Sequence, residues 1–163
     1  MITIPCNSPV EFVLTHKDNF WNNLLNKAID DYTTDIYIST YNFNFKDQYI
    51  NSMYDRIAEI GRTQRMIYTH LIYSVAKDGI DFIQGNDLGW EFFTYLYHLP
   101  NNHAKIFLTN KICYIGSSNF SLGSDYNYEC GTIVEDPSII EEIKVKFLKQ
   151  LENNGTLLSD VYD

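Results

Sequence analysis

The sequence predicts an α/β fold built around a mixed β-sheet, and three observations carry the prediction. Two segments dominated by β-branched and aromatic residues, 35–43 and 64–74, flank a stretch of helical periodicity, and strand–helix–strand order with connections this long favours parallel pairing. Segments 103–109 and 111–117 are joined so tightly that they must form an antiparallel hairpin. Amphipathic stripes of period 3.6 recur near both ends of the chain.

Each element has its own local reason. Thr15 and Asp18 are spaced as a capping box ahead of Phe20, Trp21, Leu24, Leu25, Ala28, Ile29 and Tyr32, which predicts a first helix. In DIYISTYNF, Ile36, Ile38 and Thr40 share one face of a strand. Ile50, Met53, Tyr54, Ile57 and Ile60 mark a second helix, ended by Gly61, and QRMIYTHLIYS reads as the next strand. The stretch from Gly79 to Asn102 is ambiguous, since LGWEFFTYLYHL suits a short helix or a strand. After the hairpin, YNYECGTIVE makes a further strand. Asp136 as N-cap and Pro137 at the first helical position open a last helix, with Ile140, Ile143, Phe147 and Leu151 on one face and Gly155 beyond its end.

The length of 163 residues fits a single domain spanning 1–163, and 45% apolar with 15% aromatic residues excludes disorder as the default state. No apolar run is long enough to cross a bilayer, and MITIPCNSPVEF lacks the basic start and apolar core of a signal peptide, so the chain reads as a soluble cytoplasmic protein with no membrane partner. Cys6, Cys113 and Cys130 form neither a C-x-x-C pair nor an even set and read as buried free thiols. Twelve Lys and Arg against 21 Asp and Glu leave a charge of −9, so any grip on nucleic acid is local, weak or shared with a partner.

The chemistry concentrates in residues 101–130. His103 and Lys105 are two positions apart and project together from one strand face, while the returning strand brings Gly116, Ser117 and Asn119 beside them. An imidazole, a compact cation, a hydroxyl and an amide at one sheet edge suit a phosphodiester. Lys105, Ser117 and Asn119 offer donors to the non-bridging oxygens, the Gly116 backbone permits close approach, and His103 is the nucleophile. His16, His70 and His98 have no zinc-like spacing and read as core or surface residues, with His70 placed to border the pocket. Arg62 and Arg65 read as complements to a helix dipole, and Tyr37 and Tyr41 as packing groups.

The run His103-x-Lys105, then Gly116-Ser117-x-Asn119 followed by Phe120 and Ser121, resembles the HKD motif of the phospholipase D superfamily. It is most similar to the small bacterial nuclease branch, in which a single-motif chain forms a dimer. The resemblance spans roughly residues 18–150, with 103–131 its specific part. It implies an α/β/α sandwich with a mixed central sheet and helices on both faces. It also implies a phosphodiesterase that needs no metal or cofactor and works through a phosphohistidine on His103 at a homodimer interface. Lys105, Asn119 and Ser117 then hold the phosphate, and Glu129 hydrogen-bonds the histidine. The chain departs from the family pattern at Asn110, where the motif has Asp, and the following interval is one residue short. That departure keeps open a catalytically silent subunit for dimerisation or docking in a larger defence or restriction complex. The same chemistry leaves a phospholipid phosphodiesterase as a further alternative, and family analogy alone suggests an ATPase partner.

Overall fold

The computed structural model describes residues 1–44, 46–63, 66–76 and 93–158. In chain order the elements are β1 (Val10–Thr15), α1 (Phe20–Ala28), β2 (Asp35–Phe43), α2 (Gln48–Glu59), β3 (Tyr68–Ala76), β4 (Tyr95–His98), β5 (Ile106–Leu108) and β6 (Cys113–Gly116). There follow α3 (Leu122–Asp125), β7 (Glu129–Val134), α4 (Pro137–Ile143), a π-helical segment (Lys144–Leu148), α5 (Lys149–Asn154) and β8 (Thr156–Leu157). The described strands form one eight-stranded sheet in the order β1-β7-β6-β5-β2-β3-β4-β8. β2, β3 and β4 are mutually parallel and the remaining pairs are antiparallel, so the sheet is mixed as expected.

Alternation along β2 divides the core. Ile36 and Ile38 face a cluster filled by Trp21, Leu25, Ile50 and Met53 from α1 and α2, whereas Tyr37 faces a second cluster built on Ile140, Ile143 and Leu148. Helices therefore cover both faces. Gly61, with φ of 71°, terminates α2 in the left-handed conformation that glycine adopts without steric cost. Asp47 caps the start of that helix by accepting from the Tyr49 N–H at 3.1 Å.

Several expectations are corrected. The capping box at Thr15 and Asp18 does not form: Thr15 ends β1, and the chain enters α1 through left-handed Lys17 and Asn19, with φ of 56° and 58°. Tyr32 lies beyond α1 and is exposed. Of the ambiguous stretch, Tyr95–His98 is a strand, while residues 79–92 and Arg65 lie outside the described residues. Cys113 is buried, which pushes its thiol up to about 12, but Cys6 and Cys130 are exposed. The last helix widens to π geometry over Lys144–Leu148, so that Leu148 and Glu152 are buried beside the half-buried Phe147 and Leu151, which pack against the same cluster as Ile140 and Ile143. β1 was not anticipated, because the sequence 10–15 lacks clean alternation and sits at the sheet edge.

His70 is not in a pocket beside His103. It sits at the start of β3, 4% exposed, with its ring stacked on Tyr37 at 3.9 Å and Tyr95 at 4.6 Å. Its Nδ1 lies 2.7 Å from the Glu152 carboxylate, which also accepts from Lys149 Nζ at 2.8 Å. Burial alone would raise the Glu152 carboxyl; the bonds to His70 and Lys149 outweigh it and hold the group below its ordinary value. This network ties α5 to the sheet. Arg62 likewise serves the fold, donating to the carbonyls of Thr33, at 2.9 Å, and Asp31.

Candidate active site

The site lies where β2 ends and β5 begins, at the mouth between a parallel and an antiparallel neighbour. The regular strand covers only Ile106–Leu108, so His103 and Lys105 are carried on the extended segment just before it. That segment is held by Asn102, 4% exposed and immediately upstream of His103. The Asn102 Nδ2 lies within reach of Ser39 Oγ (3.0 Å), the Thr40 carbonyl (3.4 Å) and the Ile72 carbonyl (3.3 Å). Its Oδ1 accepts from the Ala104 N–H at 3.1 Å, and Ser39 Oγ donates to the Ala104 carbonyl at 2.9 Å. One buried amide thus clamps the two residues flanking His103 to β2 and β3.

Tyr41 brings the predicted residues together. Its ring stacks on the exposed His103 imidazole at 4.1 Å, Lys105 Nζ lies 5.9 Å from the centre of the same ring, and its backbone N–H donates to Asn119 Oδ1 at 3.2 Å. Asn119 Oδ1 also lies 3.0 Å from Thr40 Oγ1 and accepts from the Asn42 N–H at 3.4 Å. Those donors fix which way the amide faces, and no described protein group takes up its Nδ2 hydrogens. Lys105 Nζ donates to the His103 carbonyl at 2.9 Å; burial lowers the pKa of its ammonium, and the Glu129 carboxylate opposes that shift.

The Gly116–Asn119 loop is anchored from below. Trp21, in the first turn of α1, donates its indole N–H to Ser118 Oγ and to the Asn119 carbonyl, at 3.2 and 3.0 Å. Ser117 Oγ donates to Glu129 and accepts from the Cys130 N–H at 3.0 Å. Glu129 is therefore bonded to Ser117, and at 3.5 Å to Asn127, instead of to His103. Gly116 also differs from expectation. A Cβ there would meet Tyr114 Oη at 2.2 Å, and one on its cross-strand partner Gly131 would meet Tyr114 Cε2 at 2.4 Å, so both glycines make room for that ring. Tyr114 is itself pushed up to about 12 by burial.

Asn110 is at the opposite end of the hairpin from His103, on the order of 20 Å away at about 3.3 Å per extended residue. Its backbone is not left-handed, although Asn tolerates that conformation in tight turns. The turn is held by Thr109 Oγ1, which accepts from the N–H groups of Lys111 and Ile112 and donates to the Ala28 carbonyl, while Asn110 Nδ2 donates to the Tyr32 carbonyl at 3.3 Å. Among the described residues, no three His, Cys, Asp or Glu side chains are grouped as metal ligands would be, and no helix is long and apolar enough to cross a membrane.

Sequence reasoning missed three contributors. Tyr41 was read as a packing group, Asn102 and Trp21 carried no site role, and all three act through contacts distant in sequence.

A two-faced α/β/α sandwich with an H-x-K pair and a G-S-x-N loop meeting at one sheet end is the arrangement of the phospholipase D superfamily of phosphodiesterases. The chain belongs to that family: the domain described as "Cardiolipin synthase, PLD-like domain" matches residues 24–151. Nuc from Salmonella typhimurium, a phospholipase D family member, superposes with a TM-score of 0.65 at 15% identity, covering 93% of this chain and 100% of its own. NucT from Helicobacter pylori gives 0.60 at 17% identity, covering 91% and 99%. TrmBL2, an archaeal chromatin protein whose structure shows a mode of DNA binding, gives 0.56 at 13% identity over 92% of this chain and 55% of its own. At these identities the likeness is one of fold. No curated protein matches the sequence.

Proposed function

We propose that the protein is a metal-independent nuclease that cleaves a phosphodiester through a phosphohistidine at a homodimer interface. The observation that carries this reading is the convergence of His103, Lys105 and Asn119 around Tyr41, with the imidazole exposed and the amide donors unspent. In the first step His103 attacks phosphorus, a P–N bond forms and a P–O bond breaks. The leaving oxygen takes a proton from the imidazolium of the partner subunit's His103. In the second step that now-neutral imidazole accepts a proton from water, the hydroxide oxygen bonds to phosphorus, and the P–N bond breaks. Attack and protonation fall on opposite sides of an in-line displacement, so one imidazole cannot serve both. Lys105 and Asn119 from both subunits meet the charge on the non-bridging oxygens.

Two observations favour nucleic acid over phospholipid. Lys17, Lys46 and Lys105, which have no acidic ion-pair partner among the described residues, all lie on loops at the site end of the sheet, and TrmBL2, a chromatin protein described as binding DNA, resembles the chain in fold over about half of its own length. The Asn110 departure, which suggests a silent subunit, lies at the far end of the hairpin, where Asn110 bonds the Tyr32 carbonyl and touches none of the site residues.

The test mixes wild type and His103→Ala by joint refolding and follows DNA and RNA cleavage in excess chelator. Activity per total protein is expected to fall as the square of the wild-type fraction, leaving about one quarter at half wild type. Loss of activity to chelator with rescue by magnesium or zinc refutes the metal-independent route. A linear fall refutes the composite site.

A further inference from the structure

A cavity of about 260 Å³ opens between the loop entering α1, the start of α2 and the short helix α3. It adjoins the loop that carries Asn119. Leu122, in its wall, is three residues from Asn119, at most about 10 Å of chain, and the α1 entry that supplies Lys17 and Asn19 runs into Trp21, which bonds the Asn119 carbonyl. Asp47 fixes α3 there by accepting from the Leu122 N–H at 2.8 Å. The volume falls just below the roughly 300 Å³ at which sites for drug-sized ligands begin, which suits a single nucleoside.

The lining groups are those that recognise a base. Tyr126 presents a ring that is 63% exposed and stacks on no other ring among the described residues. The half-buried Asp125 carboxylate accepts from the Tyr49 hydroxyl, and its further acceptor sites have no side-chain partner among the described residues. Burial, with Asp18 and Asp47 nearby, raises the Asp125 carboxyl, so added N–H donors would relieve a poorly solvated charge. Asn19 Oδ1 accepts from Asn22 Nδ2 at 2.8 Å, which leaves the Asn19 amine as the free end of its amide. Lys17 is exposed and has no acidic ion-pair partner among the described residues.

We infer that this cavity takes an unpaired guanine flanking the phosphodiester at His103, and so directs the proposed nuclease to cut beside that base; the inference rests on the nuclease reading above. Among the bases only guanine sets two donors side by side, N1–H and the N2 amine, where one carboxylate can accept both. Its O6 then meets the Asn19 amine, the Tyr126 ring stacks on its face, and Lys17 meets the adjoining phosphate. Adenine and cytosine would turn a ring-nitrogen acceptor toward Asp125, which repels it. Uracil and thymine have one ring donor between two carbonyls. Reading this edge requires a base released from its pair.

The test titrates guanosine, adenosine, cytidine, uridine and inosine monophosphates into wild type and Asp125→Asn by calorimetry. The phosphate is common to all, so a difference in affinity reports the base. Guanosine monophosphate is expected to bind about 10-fold or more tighter than the adenosine, cytidine and uridine forms, with inosine monophosphate, which lacks the N2 amine, in between. Asp125→Asn is expected to level the series; it keeps an oxygen for the Tyr49 hydroxyl, and urea unfolding checks that it folds. Tyr126→Ala should weaken every probe while preserving their order. A second assay maps cleavage of an oligothymidine strand carrying one guanine, with cuts expected beside the guanine in wild type and spread along the strand in Asp125→Asn. Equal affinities with evenly spread cuts, or a guanine preference that survives in Asp125→Asn, overturn the base site and leave the nuclease reading intact. A guanine preference that Asp125→Asn abolishes, in a protein that cleaves no oligonucleotide, upholds the base site and overturns the nuclease reading.

Discussion

Replacing Asn102 with alanine separates the positioning of His103 from the stability of the fold. The Nδ2 group has two hydrogens for three acceptors, and Oδ1 holds the Ala104 N–H, so about three hydrogen bonds are lost. At about 1 kcal/mol net each, plus about 1 kcal/mol for buried carbonyls left unpaired, the cost is about 3–5 kcal/mol. A domain of this size holds about 5–15 kcal/mol, so the variant folds at moderate temperature. The segment carrying His103 loses its ties to β2 and β3, and a displacement near 1 Å costs about 100-fold in rate. Lys105 stays tied to β6 through its carbonyl, which accepts from the Gly116 N–H at 3.2 Å, and Asn119 keeps its bonds to Trp21, Thr40 and Tyr41, so KM stays within a few-fold. The assay measures kcat and KM on a nucleic acid substrate beside urea unfolding, with Leu148→Ala as a comparably destabilised variant whose core position belongs to the other layer. If Asn102→Ala loses stability but keeps the kcat of Leu148→Ala, Asn102 has no positioning role.

Two further outcomes are expected. Glu152→Gln removes the charged partner of His70 and Lys149 and should cost about 2–3 kcal/mol at neutral pH. Because the folded-state carboxyl lies below its ordinary 4.5, the unfolded chain binds more protons as pH falls through that window; the wild-type advantage is full above about 4.5 and shrinks below it, and equal unfolding midpoints at neutral pH would refute the network. Lys46→Ala should raise KM for a DNA oligonucleotide and reduce the slope of log KM against log salt by about one per contact removed, leaving kcat in place; an unchanged slope returns Lys46 to ordinary surface charge.

Much of the fold was readable because its signals are local. The stripe Ile50, Met53, Ile57 needs only a helix period, Gly61 and Asp136 act within a few residues, and the hairpin turn is set by chain length. The last helix shows where locality ends. Its stripe continues to Phe147 and Leu151, which pack at the edge of the cluster, and the π segment also turns Leu148 and Glu152 inward, where Glu152 meets His70, more than 70 positions upstream. The site divides in the same way. His103, Lys105, Gly116, Ser117 and Asn119 stand in one motif, whereas Tyr41, Asn102 and Trp21 act only once β2, β5 and α1 are assembled. Glu129 bonds Ser117 in place of the expected His103, and that pairing depends on the β6–β7 register, which no spacing in the sequence encodes.

The acid excess and a polyanionic substrate are reconciled by where the cations stand. Among the described residues, Lys27, Arg56, Lys111, Lys144, Lys146 and Lys149 are each in an ion pair with an acidic side chain, and Arg62 is spent on backbone carbonyls. Their charge is cancelled at short range, so they contribute little potential beyond about one Debye length. Lys17 precedes α1, Lys46 follows β2 and Lys105 precedes β5, and the sheet register puts all three at the end where β7 begins and β6 finishes. Among the described residues Lys17, Lys46 and Lys105 are thereby the lysines left without an acidic ion-pair partner, and they share that end of the sheet with Asp18, Asp47, Asp125 and Glu129. For the proposed nuclease this arrangement makes binding weak away from the site and concentrates it at the reacting phosphorus. With three unpaired lysines at that end, the proposed contact is limited to a few phosphates, and in the proposed dimer a second copy would add the same three.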